Sequence, residues 1–484
     1  MKRQGGYDVI VIGAGVGGLV CSTLLAKAGA KVLLLEKTNQ IGGRYGSYPY
    51  KGFTLNNFSG LFFMLSWPKA MERIGVSIPW TEVKLHAYFK KDTGEFFYQP
   101  MGDEAKRRPE LVTEFYEWLG LSKEMSKEFL RVMNVINNYS EEELEKLKTV
   151  SVKEFADSVT QNEAVKKIIW ELVYNMTSLT IPKWEDASIY YSLIQFLPVM
   201  RGEIKLVQPC NAEVPGSMAL PKKILDAFGE NGGEVLKLSE VEKILVKNGR
   251  IEGVIGKNIQ GNARFLYEAP TVVGDLKVWD YFEKGLLNEE DFPQEWLRDA
   301  RRLKQWQGAA IHIWFGLKRK VPKLREIFAN EERGVRWGRL VELSEGTQTY
   351  TKNIGGFAVH SIFDPSMAPP DKDLVCYGFW LTTEEAKQWK TLSDLYETGM
   401  ARVRMLFKGF GEDLDDVCEW VRRDYHIPTW SCENYSVYPR PGVKAPGIEG
   451  LYFVGDSIEG EGVGGDIAAN TGMQCADVII AEKR

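Results

Sequence analysis

Residues 7–36 read YDVIVIGAGVGGLVCSTLLAKAGAKVLLLE, and the fold follows from this stretch. Tyr7 to Ile12 is a short β-branched run, Val16 to Lys27 has helical spacing, and Lys31 to Leu35 is a second apolar run. Strand, glycine turn, helix and strand form a right-handed βαβ unit. Within the turn, Gly13 permits the tight bend, Gly15 lets backbone approach a pyrophosphate, and Gly18 lets the helix lie close to the sheet. The helix N-terminus then faces the phosphates. Glu36 ends the second strand, 18 residues beyond Gly18, where a carboxylate accepts ribose hydroxyls and disfavours a 2′-phosphate. A GxGxxG alone is weak evidence; in this setting it reads as a dinucleotide site.

Outward from this unit the pattern changes twice. Leu111 to Leu119, Ser122 to Val135 and Val152 to Met176 carry apolar residues three and four apart, and Ala187 to Leu197 continues in that style, so a helical subregion is expected over 104–198. From about 210, Leu220 to Phe228 reads as a helix, and Glu234 to Leu238, Val241 to Val246 and Arg250 to Ile255 as strands, with Asn248-Gly249 as a hairpin turn. Thr271 to Gly274 is a further strand. Ile311 to Leu317, Gly356 to Ile362 and Leu374 to Leu381 read as strands rich in large residues. The last 35 residues return to strand, Gly-Asp, glycine-rich turn and helix. The two ends are alike and the middle is not, which suggests a nucleotide-binding domain interrupted by another.

Composition narrows the chemistry. The 484 residues carry a net charge of −5, which argues against nucleic acid as the main partner. Six Cys without close pairs give neither a disulfide framework nor a zinc site, and four His make a multi-histidine metal centre unexpected, so no metal is assigned. The excess is in 47 Gly and in 23 Phe, 20 Tyr and 14 Trp. No run of 18 uncharged apolar residues occurs and no export signal is read, so the expectation is a cytoplasmic protein.

Beyond the first unit, Ile41-Gly42-Gly43-Arg44 follows Glu36 closely. Gly13, Gly15, Gly18, Glu36 with Lys37, Gly42, Gly43 and Arg44 together resemble the FAD-binding start of the flavin amine oxidase and phytoene desaturase superfamily. Pro215-Gly216-Ser217-Met218 through Val241-Glu242-Lys243-Ile244 is similar to the middle block of its desaturase-like branch, which implies Val241 beside the adenine. Gly450 to Asp456 resembles the C-terminal FAD motif, implying contacts from Gly455 and Asp456, and Gly462 to Ala468 resembles the loop beneath the isoalloxazine, implying Gly464, Asp466 and Ile467.

The resemblance implies an α/β fold: a Rossmann-like FAD-binding domain from 1–95, 210–275 and 435–484, with an inserted mixed sheet-plus-helices substrate domain from 96–209 and 276–434. It implies hydride transfer between FAD and a C–C bond of a hydrophobic small molecule, with oxygen, a quinone or NAD open as electron acceptor. Peripheral contact with a membrane is a further expectation, through Leu61 to Leu65 and Tyr190 to Val199, and the oligomeric state stays open. Amine oxidation, flavin-dependent isomerisation of a polyene and non-catalytic nucleotide binding are the alternatives. Against amine oxidation, no flavin-facing lysine can be placed, since neither Lys318 nor Lys320 has a supporting motif, and Gly455-Asp456 stands where amine oxidases carry Gly-Glu. Aromatic residues suit an apolar cage, and Phe58, Phe62, Trp314, Phe379 and Trp430 are the candidate pocket residues. Tyr425 and His426 are the candidate catalytic pair, a histidine being able to exchange a proton near neutral pH.

Overall fold

The computed structural model describes residues 2–57, 62–83, 85–90, 96–99, 107–118, 121–176, 183–200, 203–328, 335–341, 356–431, 436–462 and 465–483. The α/β architecture expected from the βαβ unit is present. Strands Glu234–Leu236, Val32–Leu35, Val9–Ile12, Val272–Gly274 and Leu451–Phe453 lie side by side in that order, every neighbouring pair parallel. Both faces of this parallel sheet are buried, as its unbroken Val and Leu runs require. Val9, Val11 and Leu34 face one way, against the helices Val16–Lys27, Ala219–Glu230 and Gly465–Glu482. Ile10, Ile12, Leu33 and Leu35 face the other way, against Trp279, Tyr281 and the antiparallel strands Ser239–Lys247, Arg250–Asn258 and Arg264–Glu268. The Asn248-Gly249 turn has φ of 51° and 71°, the left-handed pair that a two-residue hairpin uses.

A second, seven-stranded sheet is built from Cys418–Ser431, Gln307–Leu317, Leu374–Thr382, Gly356–Val359, Val335–Val341, Leu85–Lys90 and Phe96–Gln99. All neighbours are antiparallel except Val335–Val341 with Leu85–Lys90. One face packs on the helix Trp389–Gly409, where Ile311, Ile313, Phe315, Tyr377 and Phe379 meet Leu395, Met400, Val403 and Phe407. Each such buried side chain is worth roughly 1.5–3 kcal/mol relative to exposure. The opposite face meets the hairpin Ser47–Tyr50/Phe53–Asn56, with Phe53, Leu55, Trp314, Cys376 and Trp420 in contact. That hairpin begins three residues after Arg44, so the chain runs directly from the glycine-rich turns to the large sheet.

The helical subregion differs from expectation at one point. The run Val152 to Met176 is two helices, Val152–Val159 and Glu163–Met176, because Asn162 Oδ1 accepts the Ala164 and Val165 N–H groups at 3.0 and 3.2 Å and starts the second anew. Likewise the strand expected over Gly356 to Ile362 stops at Val359 and turns into a single helical turn, His360–Phe363, which draws His360 into the interior. Among the described residues no helix is long and apolar enough to cross a membrane.

Candidate functional site

The first part of the site is made almost wholly of backbone. Gly13 has φ of +100°, and a Cβ at Gly18 would sit 2.1 Å from Gly13 O, closer than any side chain tolerates. Glu36 is bound into the turn: its Oε2 accepts from Ala14 N at 2.9 Å and its Oε1 from Thr38 N at 2.7 Å. The strand that carries Val241 starts beside it, with Ser239 N donating to Glu36 O at 2.8 Å, and Val241 is buried. Lys37 points away from the turn and pairs with Glu240 at 2.6 Å on the surface.

Gly42 and Gly43 have φ of +82° and +54°, and Gly42 N donates to Ala14 O at 2.7 Å, which holds this segment against the first turn. Arg44 Nη2 then meets Asp456 Oδ2 at 2.8 Å. Asp456 is nearly buried while the Arg44 side chain keeps 30% of its surface, and the ion pair outweighs the cost of burial and holds the guanidinium above its usual pKa. Gly455, with φ of +110°, lies against Gly17: a Cβ on the latter would touch Gly455 N at 3.0 Å. Turns 13–18, 42–44 and 455–456, distant in sequence, thus form one cradle with open backbone and a helix N-terminus, which fits a dinucleotide.

One oxygen of Asp466 is engaged in structure. Its Oδ1 accepts from Ser66 N at 2.8 Å and Trp67 N at 3.2 Å, capping the helix Trp67–Ile74 from across the molecule, and burial pushes its carboxyl up to about 8. Ile467 is fully buried beside it. Gly464 lies outside the described residues.

The second part is the hairpin-facing side of the large sheet. In register, His312 stands opposite Asp424, Trp314 opposite Arg422 and Ala310 opposite His426, so these side chains share one face. The His312 and His426 rings are 4.9 Å apart, and Trp314 lies 5.0 Å from His360. Two histidines, His312 and His360, therefore flank one indole, and His426 joins them through His312. Burial holds all three below the usual imidazole pKa, His360 at about 4, and for His312 the neighbouring imidazoles act in the same direction. Gln208 Nε2 lies 3.4 Å from His360 Nδ1. Beside them Tyr48 of the hairpin donates its phenol proton to Asp424, while Arg422 Nε donates to Tyr48 Oη at 3.1 Å and to Asp424 Oδ1 at 2.9 Å. Burial and the Asp424 carboxylate both hold the Tyr48 phenol protonated. At neutral pH this largely buried face holds neutral imidazoles, an indole and one compensated ion pair, and so carries little net charge.

The three candidate pocket residues with described side chains, Phe62, Trp314 and Phe379, do not come together. Phe62 packs with Tyr45, Trp67 and Trp80, centroids 4.4, 5.5 and 5.3 Å away, on the helical side of the parallel sheet. Phe379 is buried on the helix side of the large sheet, opposite Trp314. Trp430 continues the strand Cys418–Ser431, its side chain outside the described atoms, and Phe58 lies outside the described residues. Tyr425 and His426 also separate, because neighbours in a strand point to opposite faces. His426 joins His312, while Tyr425 turns toward Trp389 and the helix side. Lys318 and Lys320 are exposed. Sequence reading missed His312, Asp424, His360 and Tyr48; strand register pairs the first two, and packing of a helical turn and of the hairpin brings in the others. It also missed Asp275, whose place at the carboxyl end of a parallel strand was the available signal.

Residues 16–480 match the sequence pattern of flavin containing amine oxidoreductases. The chain belongs to that family. It is an enzyme family, and the protein is an enzyme of it. Across the family, this chain is 26% identical over 525 residues to prolycopene isomerase 2 of an Oncidium hybrid cultivar, covering 98% of this chain and 84% of the relative. It is 35% identical over 97 residues to a carotenoid 3,4-desaturase of Haloarcula japonica, covering 20% of this chain and 17% of that one. In fold it is similar to an oxidoreductase from Methanosarcina mazei, with a TM-score of 0.70, 19% identity, and coverage of 97% of this chain and 100% of the other.

Proposed function

We propose that the cradle of residues 13–18, 36, 42–44 and 455–456 binds FAD, and that the enzyme uses it to rearrange a C=C bond of an extended, polyene-like apolar substrate. Membership of the family supports a flavin-dependent redox or isomerase enzyme for a hydrophobic substrate. What carries the finer reading is that prolycopene isomerases align with nearly the whole chain. This favours isomerisation over the net hydride transfer that the motifs alone suggested. Dehydrogenation, or its reverse, is the second reading, favoured by the local likeness to a carotenoid desaturase.

The flavin, when bound, supplies the electron chemistry; the chain supplies position, exclusion of water and proton control. His312, His360 and His426 stay neutral by burial and offer proton-exchanging nitrogens that a polyene tolerates. The Tyr48–Asp424–Arg422 group fixes the wall beside them through hydrogen bonds from two elements. The Arg44–Asp456 pair ties the phosphate-side turns to the last parallel strand.

The test is reconstitution with FAD followed by anaerobic incubation, with the flavin oxidised or reduced, with a cis-polyene in detergent. A change of double-bond geometry at constant mass supports isomerisation. A product lighter or heavier by two hydrogens transfers the assignment to dehydrogenation or saturation. Flavin bleaching by amines alone would overturn the polyene reading.

A further inference from the structure

The strand Val272–Gly274 delivers a carboxyl into the cradle that the glycine motifs do not include. Asp275 N donates to Ile12 O at 2.8 Å, so the parallel sheet itself fixes this residue beside the first turn. Its Oδ2 accepts from Gly18 N at 2.9 Å, in the first turn of the helix Val16–Lys27. A Cβ at Gly15 would lie 2.4 Å from Asp275 Oδ2, one at Gly17 3.1 Å from Oδ1, and one at Gly455 3.0 Å from Oδ1. Glycines of the first turn and Gly455 of the last thus close around one acid, whereas Gly42 and Gly43 face Pro221 and Gly15 instead.

The charged and titratable groups around it come from every neighbouring segment. Arg44 and Asp456 lie across the cradle as a pair, Glu36 ends the next strand, the Tyr281 phenol accepts from Leu276 N at 3.1 Å, and Lys277 follows two residues on, over Trp279. The turn 13–18 has no titratable group. Burial pushes the Asp275 carboxyl up to about 7, with the Gly18 N–H opposing, Asp456 adding to the rise, Arg44 opposing, and Glu36 adding. The residue as a whole is partly buried.

A helix N-terminus carries roughly half a positive charge, which is what attracts a pyrophosphate there. A carboxylate on Gly18 N–H neutralises part of that field and repels a second anion; a neutral carboxylic acid carries no charge to do so and has a proton to donate. We infer that Asp275 is a cofactor-binding residue that must be protonated when the phosphates are bound, so that FAD binding takes up a proton and weakens as pH rises. The inference rests on the FAD reading above. A bound anion favours the neutral acid, so the carboxyl titrates higher in the complex than in the free protein. Affinity is therefore level at acid pH, where the acid is already protonated. It then falls by up to about tenfold per pH unit once the free carboxyl ionises.

The experiment is titration of the apo full-length protein with FAD, followed by quenching of flavin fluorescence, at intervals from about pH 5.5 to 9. Wild type should show a Kd that is level below neutrality and rises above it, and Asp275→Asn should remove most of that rise. Calorimetry of wild type at alkaline pH in two buffers of different ionisation enthalpy gives the second readout, independent of the variant's folding: close to one proton taken up per FAD. A level wild-type profile, an equal slope in Asp275→Asn, or no proton uptake would overturn the inference while leaving FAD binding intact. Absence of FAD binding at every pH would overturn both.

Discussion

The glycine cradle and the histidine-bearing sheet face differ in what holds them in place. In the cradle most of the shape is set by backbone at glycines, each turn fixed by φ values within a few residues, with Glu36, Arg44, Asp456 and Asp275 as the side chains that join them. On the sheet face the groups are side chains from separate strands, His312 and Asp424 over a hundred residues apart in sequence yet opposite in register. The first should therefore break at single atoms and all at once. The second should lose function in steps, according to which face a residue points to. Gly18→Val tests the first claim with the largest effect. Its Cβ would lie 2.1 Å from Gly13 O, a backbone atom with nowhere to move. Purified variant should show no flavin absorbance near 450 nm after FAD addition. Gly229→Ala is the counterpart, since its Cβ meets nothing within 4 Å and it lies in the helix Ala219–Glu230. It should keep its flavin and gain up to about 1 kcal/mol of stability. Normal flavin content in Gly18→Val would mean that the cradle is not backbone-limited.

The next largest effect separates the two faces of the large sheet. Phe379→Ala removes a buried ring from the helix side and should cost about 3–5 kcal/mol in denaturant unfolding, with the distribution of products unchanged. If instead it altered product geometry at little cost in stability, Phe379 would belong to the pocket and the assignment of faces would be wrong.

These two predictions also mark what the sequence made legible. The turn 13–18, its helix, its following strand and Glu36 are consecutive, so spacing alone placed them, and the later glycine motifs followed by resemblance. Three strands of the large sheet, around Ile311 to Leu317, Gly356 to Val359 and Leu374 to Leu381, were legible as strands; Leu85–Lys90, Phe96–Gln99, Val335–Val341 and Cys418–Ser431 were not. The register was not legible either, because it depends on long-range pairing and on a shift between Gly308 and Ala310 that no local pattern announces. For the same reason Phe379 and Trp314 looked equivalent as aromatic strand residues, although they line different layers. Tyr425 and His426 were both chosen because the segment before the last glycine motif was expected along the substrate cavity; adjacency in a strand is what parts them. Asp466 looked like a motif acid near the cofactor, and nothing in the sequence showed that the N–H groups of Ser66 and Trp67 would claim it.

A smaller effect follows from that parting. His426→Gln should lower turnover by about 10²-fold or somewhat less, with flavin content unchanged, in line with the loss of one positioned proton-exchanging group. Tyr425→Phe, one residue away on the helix side, should turn over within about twofold of wild type by the same criterion. Steady-state rates of the reconstituted enzymes decide it. Equal losses in both variants would mean that the strand is disturbed as a whole and that the histidine face has no special part.

The smallest effect distinguishes the two regions by sign. His360 is buried and holds its pKa at about 4, below its unfolded value near 6.5, so the unfolded chain binds more protons between those limits. Its contribution to stability is complete above about pH 6.5 and is lost as pH falls toward 4. Asp466 has the opposite displacement: burial raises its carboxyl to about 8, so the folded chain holds the extra proton and stability declines as pH rises from about 4 toward 8. Asp466→Asn keeps an oxygen to accept from Ser66 and Trp67 but has no charge to bury. Its thermal midpoint should therefore gain on wild type steadily as pH rises through that window, by a few degrees at most. His360→Gln should do so as pH falls, flattening the acid limb. A pH-independent offset in Asp466→Asn would show that the carboxyl is ionised throughout in the folded protein, and the cap on the helix Trp67–Ile74 would then be a charged one.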